Sequence, residues 1–179
     1  NQNIGELLKM AGEGGRLDRD GASALFTLLT PESLYRIGEA ANSKRLSRYG
    51  LRTTYINNLQ INPSNICVRA CTFCDFATLP GRPGGYSLME KDIFAMVSKV
   101  APSEVHIVGG LNHDWDFNRS LSLIRELHRT FPEIYIKCFT AVEIHWFASN
   151  EKKSIEEILV AFREAGMDAL PGGGAEMFS

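Results

Sequence analysis

Four short runs rich in apolar and β-branched residues, 52–61, 105–108, 134–139 and 167–170, alternate with stretches of helical periodicity, and each run closes on glycine or polar residues. The first helical stretch opens on a capping-box pair, Ser87 and Glu90, carries Ile93, Met96, Val97 and Val100 on one face and stops at Pro102. The second repeats Phe117, Leu121, Ile124, Leu127 and Phe131 at helical steps before Pro132. The third has its own capping-box pair, Ser154 and Glu157, then Ile155, Ile158, Leu159 and Phe162, and ends at Gly166. Short apolar strands alternating with helices of this length predict right-handed βαβ crossovers and a parallel sheet. In α/β barrels the carboxyl ends of the strands carry the chemistry and the opposite ends carry stability. A cysteine-bearing loop follows the first run, Gly109-Gly110 the second, Glu143 the third and the segment Pro171–Glu176 the fourth, so every chemically suggestive residue is expected on one rim.

Ahead of the first run, residues 1–50 read as a helical extension. Thr30 and Pro31 form a cap followed by proline at the first helical position, and Leu34, Ile37, Ala40 and Ala41 follow at helical spacing. Residues 51–179 then hold four strands where a closed barrel has eight, which predicts the N-terminal half of an α/β barrel; Asn1 in place of Met predicts trimming at the N-terminus. Apolar residues make up 44% and charged residues 22% of the 179, the composition of an ordinary globular domain. A net charge of −2 and the lack of a basic face argue against nucleic acid as a partner, and the apolar runs are too short for a membrane span. The expected partner is therefore a small molecule, and clustered free cysteines without a secretory segment lead to the expectation of a reducing cytoplasm.

Cys67, Cys71 and Cys74 stand in the run CVRACTFC with C-x3-C-x2-C spacing. Structural zinc usually takes four protein ligands, yet Cys138 is isolated and His106, His113, His128 and His145 show no paired spacing. A triplet also cannot pair off into disulfides. Three thiolates on a cluster of four irons leave one iron without a protein ligand, and an open coordination site points to catalysis. The remaining candidates have bland alternatives. Gly109-Gly110 is a tight turn or a place for close backbone approach. Glu143 and Glu176 are solvated surface or rim carboxylates that accept hydrogen bonds from a ribose or a substrate. His106, inside a strand, is expected to be packed and hydrogen-bonded, and Cys138 to be a small buried hydrophobe. His113 and His145, nearer the rim, are candidates for proton transfer or for binding a substrate carboxylate.

With Phe73 before the third cysteine, the motif C-x3-C-x-aromatic-C resembles the signature of the radical S-adenosylmethionine superfamily. The segments INPSNICVRACTFCDF, EVHIVGGL, IKCFTAVEI and AGMDALPGGGAE are together similar to the radical enzymes of the futalosine route to menaquinone and to their relatives in deazaflavin synthesis, and most similar to the aminofutalosine synthases. The resemblance implies a radical-SAM-type (βα) barrel. It implies a 4Fe-4S cluster on Cys67, Cys71 and Cys74, with S-adenosylmethionine as co-substrate and a reducing donor such as flavodoxin or ferredoxin. It further implies that Phe73 packs the adenine and that Gly109 and Gly110 meet the methionine amino group, with Glu143 and Glu176 as further cofactor-side candidates. Leu111 stands where the family's glycine-rich segment usually has an acidic residue. The implied reaction adds the 5'-deoxyadenosyl group to 3-[(1-carboxyvinyl)oxy]benzoate. The alternatives are cyclic dehypoxanthinyl futalosine synthase, the tyrosine-using subunit of deazaflavin synthase and, from another class, a metal-binding module without catalysis.

Overall fold

The computed structural model describes residues 3–69 and 71–172. The chain forms two compact units, Asn1–Tyr55 and Ile56–Ser179. The first consists of α1 (Ile4–Gly12), α2 (Arg19–Phe26) and α3 (Pro31–Tyr49), so the helical extension is three helices. Side-chain caps fix each start: Asn3 accepts from Gly5 N, Asp18 from Gly21 N and Thr30 from Ser33 N, with Pro31 inside the first turn of α3. Lys44 Nζ donates to Ala11 O at 2.6 Å, so a cation of α3 satisfies an orphan carbonyl at the end of α1.

The second unit begins with β1 (Asn58–Ile61) and continues through α4 (Glu90–Val100), β2 (Glu104–Ile107), α5 (Phe117–Thr130), β3 (Tyr135–Cys138), α6 (Ala141–Glu151) and α7 (Ile155–Glu164). The strands form a parallel sheet in the order β1-β2-β3, with Leu59, Val105 and Ile136 in one register row and Ile61, Ile107 and Cys138 in the next. These six side chains share one face, because successive residues of a strand point to opposite sides. They pack against Ile93 and Val97 of α4, Leu123, Ile124 and Leu127 of α5, Ile144 and Phe147 of α6, and Ile158 and Phe162 of α7. Phe117, Phe139, Phe147 and Phe162 form an aromatic group with ring centroids 4.6–6.2 Å apart. The helices thus cover one face of the sheet, as consecutive right-handed crossovers require.

Four expectations are corrected. The first strand is shorter than 52–61, since residues 52–57 are exposed and lie outside the strand register, which begins at Asn58. Upstream of Asn58 the neighbouring chain offers Pro102, which has no N–H, and Asn57 O collects the N–H groups of Ser103 and Glu104. The fourth run forms a single parallel bridge, Lys137 to Ala169, with Cys138 N donating to Ala169 O. Ser87 and Glu90 do not form a capping box: α4 starts after Met89 without a side-chain cap, because both residues have tertiary partners. Ser87 Oγ accepts from Trp115 Nε1 at 3.0 Å, and Glu90 takes Arg119 bidentately at 2.6 and 3.1 Å, which holds its carboxyl below the usual range. Finally, Glu143 is not an open carboxylate after the third strand. Thr140-x-x-Glu143 is a capping box that opens α6, of the same kind as Ser154-x-x-Glu157 at α7.

Among the described residues no helix is long and apolar enough to cross a membrane.

Candidate cluster and cofactor site

The loop that leaves β1 is held from its first residue. Asn62 Nδ2 donates to Val108 O at 2.8 Å, tying the tip of β1 to that of β2. Ser64 is buried, and its hydroxyl serves three partners: it donates to Tyr86 O at 2.7 Å and accepts from Ile66 N and Asn112 Nδ2, both at 3.0 Å. Asn65 spans the far side of the loop, with Nδ2 on Gly84 O and Thr78 Oγ1 and with Oδ1 receiving Tyr86 N. Cys67 N then donates to Thr78 O and Val68 N to Leu111 O, each at 2.9 Å, while Gly110 N donates to Ser64 O at 2.8 Å. The cysteine loop is therefore laced along the loop that follows β2.

Cys67 and Cys74 are half-buried, Cys71 is exposed, and all three thiols are free. Arg69 N donates to Cys67 Sγ at 3.4 Å, and Cys74 N closes a turn onto Cys71 O. Among the described residues no three His, Cys, Asp or Glu side chains converge on one point as a single-ion site requires. A four-iron cube asks for something different, since its ligands sit at separate corners. Three free, accessible thiols on one loop fixed at its root are a donor set that fits such a group. Phe73 is 87% exposed between two of them.

Gly109 and Gly110 have a steric reason to be glycine. A Cβ on Gly110 would run into the carbonyl of Ile66, and one on Gly109 would stand 3.2 Å from Ser64 O. The carbonyls on either side of the pair are used, Val108 O by Asn62 and Leu111 O by Val68. The carbonyls of Gly109 and Gly110 receive no hydrogen bond from the described residues, which leaves two acceptors open on the rim.

Glu143, expected as an open rim carboxylate, is buried and engaged. Oε2 accepts from Thr140 N at 2.7 Å and from Thr140 Oγ1 at 2.8 Å, and Oε1 accepts from Gly109 N at 3.0 Å. The chain reaches this position through Phe139 at φ 62, a left-handed conformation unusual for a bulky residue, whose ring is held within the aromatic group. Burial raises the Glu143 carboxyl above its ordinary range, and the bonds from Thr140 and Gly109 oppose that shift. Glu143→Gln should lower stability by about 1–3 kcal/mol in urea unfolding, since an amide turns an N–H toward a donor that now finds an oxygen. Beneath the turn lies a cavity of ≈ 20 Å³ lined by Ser64, Gly109, Gly110, Glu143 and Trp146, room for a water and not for a nucleoside. A nucleoside would have to lie outside the turn.

Glu176 lies outside the described residues. Cys138 is wholly buried, and desolvation, followed by the charges of Glu143 and Asp168, pushes its thiol well up, so it packs as a neutral hydrophobe as expected. His113 stacks on Trp146 with ring centroids 5.0 Å apart, and His145 is exposed. His106 corrects its expectation, because its Nε2 is closed to solvent without a hydrogen-bond partner among the described residues. Burial first and Lys137 second lower its pKa from 6.5, against Glu104. The unfolded chain therefore binds the proton more readily, so the contribution of this group is present above 6.5 and is lost as pH falls through that value toward the folded pKa. His106→Phe should flatten that part of the stability–pH profile, measured by urea midpoints.

Sequence reasoning missed Ser64 and Asn65, whose signal is a turn-like NPSN run that does not announce its partners, and Asn112, which follows Gly109-Gly110-Leu111. Thr140 was missed although its T-x-x-E pattern was legible.

No protein-family model matches the chain. The aminodeoxyfutalosine synthase of Thermus thermophilus is 34% identical over 170 residues, which are 93% of this chain and 45% of the relative. The 5-amino-6-(D-ribitylamino)uracil–L-tyrosine 4-hydroxyphenyl transferase of Methanopyrus kandleri is 30% identical over 179 residues, 98% of this chain and 48% of the relative. The chain thus spans about half the length of the curated relatives it matches. Among solved structures, methylornithine synthase (PylB) superposes with a TM-score of 0.68 at 21% identity, over 93% of this chain and 46% of that one, and shares the fold. A parallel sheet covered on one face, together with these relatives, makes this the N-terminal half of a barrel, and the chain belongs to the radical S-adenosylmethionine superfamily, in the group that contains the aminodeoxyfutalosine synthases.

Proposed function

We propose that this chain is the cluster-bearing half of an aminofutalosine synthase, which joins the adenosyl group of S-adenosylmethionine to 3-[(1-carboxyvinyl)oxy]benzoate with loss of a carboxylate as bicarbonate. The observation that carries the reading is the free thiol triplet laced onto a rim where two adjacent carbonyls stand open. Cys67, Cys71 and Cys74 would hold a 4Fe-4S cluster. When bound, and reduced by a donor such as flavodoxin or ferredoxin, that cluster supplies the electron that splits S-adenosylmethionine into methionine and a 5'-deoxyadenosyl radical.

The chain's own residues do the rest by position. The carbonyls of Gly109 and Gly110 accept the ammonium of the methionine moiety, whose three N–H bonds match acceptors and not donors. Glu143 acts through Gly109, since by taking that N–H it fixes the Val108–Gly109 peptide at the base of the turn, while Gly110 N on Ser64 O fixes the peptide that carries the Gly109 carbonyl. Ser64 and Asn112 hold the two loops in register, so the distance from the cysteines to the glycine carbonyls is set by packing and not by loop motion. Phe73 offers an exposed ring to the adenine. Glu176 is retained as a cofactor-side residue.

Anaerobic reconstitution followed by incubation with S-adenosylmethionine and the enolpyruvyl benzoate tests the reading. The expected result is about four irons and four sulfides per chain and the adenosyl carbon in a larger product. Turnover of tyrosine with a ribityl-uracil would instead assign the activity printed for the Methanopyrus relative, and free 5'-deoxyadenosine as the main nucleoside would assign the cyclic dehypoxanthinyl futalosine reaction. Colourless protein retaining one zinc would overturn the enzyme reading.

A further inference from the structure

Purely parallel sheets are usually dry on both faces, yet the face of this sheet turned away from the helices is polar throughout. Strand alternation places Asn58, Glu104 and Tyr135 in one register row there and Gln60, His106 and Lys137 in the next. Asn58, Gln60 and Tyr135 are exposed, whereas Glu104 is buried and His106 and Lys137 are half-buried, so solvation accounts for the margins of this layer and not for its centre. The side chain of Glu104 is 8% exposed and that of Lys137 27%, and they pair at 2.8 Å with Asn58 Nδ2 adding a second bond to Glu104. His106 Nε2 is shut from water and has no partner among the described residues. Burying an ion pair in place of apolar side chains gains little stability, and leaving an imidazole nitrogen unpaired costs some.

We propose that the row Gln60–His106–Lys137 holds a carboxylate of the substrate. Glu104 occupies one N–H of Lys137 and orients the ammonium, leaving two N–H bonds on a cation. His106 stands beside it in register and is kept neutral, so Nε2 can complete a hydrogen bond without adding charge. The row lies two residues, about 7 Å at the usual strand rise, below the rim from which the cysteine loop departs. A substrate anchored there would present its far end to the rim. The carboxylate assignment deepens the function proposed above and rests on it for the identity of the substrate.

The test is equilibrium dialysis with the complete, cluster-loaded protein, using the enolpyruvyl benzoate and its two monocarboxamides as probes. Wild type should bind one of the two amides about tenfold more weakly or worse, as expected where a site is built for the lost charge. Glu104→Gln/Lys137→Met removes the pair together, so no charge is stranded. In that variant the same amide should bind within about twofold of the acid, with visible absorbance and S-adenosylmethionine affinity unchanged. Lys137→Arg should keep the discrimination, and His106→Phe should weaken acid binding with little effect on the amide. Full discrimination by the double variant at both positions, or none by wild type, would overturn the proposal. Should the enzyme turn over tyrosine instead, the same comparison with tyrosine and tyrosinamide decides it, and the two failures stay separate.

Discussion

Gly110→Ala is expected to unseat the cysteine loop. The methyl group would meet the Ile66 carbonyl and the Asn65 backbone, not the flexible end of a side chain, so the neighbour cannot rotate away. Relief requires the two loops to part, and that stretches the bonds Gly110 N to Ser64 O and Val68 N to Leu111 O on either side of the contact. Overpacking of this kind costs about 1–3 kcal/mol, a large share of the stability of a domain of this size. Gly109→Ala should be milder, because its Cβ would meet Ser64 O at 3.2 Å, which a shift of a few tenths of an ångström relieves. Urea unfolding of both variants gives the ranking, and iron retention after reconstitution reports the loop. If Gly110→Ala equals wild type in both, the close approach of the two loops is not what requires glycine at this position.

Cys71→Ala should abolish the cluster's visible absorbance, whereas Cys138→Ala should leave it almost intact. The two thiols differ in every respect that decides ligation. Cys71 is exposed on the rim loop, where a metal can reach it. Cys138 is wholly buried on the helix-covered face, with desolvation and two carboxylates holding it protonated. Cys138→Ala acts instead through packing and should cost about 1–2 kcal/mol in unfolding experiments. Equal bleaching by both changes would show that the buried thiol takes part in the metal chemistry.

The sheet, its parallel sense and the rim were legible because they rest on local signals. Apolar runs at Val105 and Ile134, helical spacing from Phe117 to Leu127, and the caps at Thr30 and Ser154 each depend on residues within a few positions. The failures occur where a distant partner outbids a local one. Ser87 and Glu90 carry the capping pattern, but Trp115 and Arg119 occupy them. Glu143 reads as a surface carboxylate until α6 and the second-strand loop close over it.

The sequence by itself determined the spacing of the cysteine triplet, the alternation of strands and helices, and the rim on which Cys67, Cys71, Cys74 and Gly109-Gly110 would meet, since spacing and periodicity need no partner. Only the tertiary structure decided that Glu143 serves the Gly109 peptide, that Ser64 and Asn112 lock the two loops, and that Glu104, His106 and Lys137 share a helix-free face. The physical reason is that burial and strand register are set by contacts 31 to 48 residues apart, and no local pattern encodes which of several available partners a polar group will take.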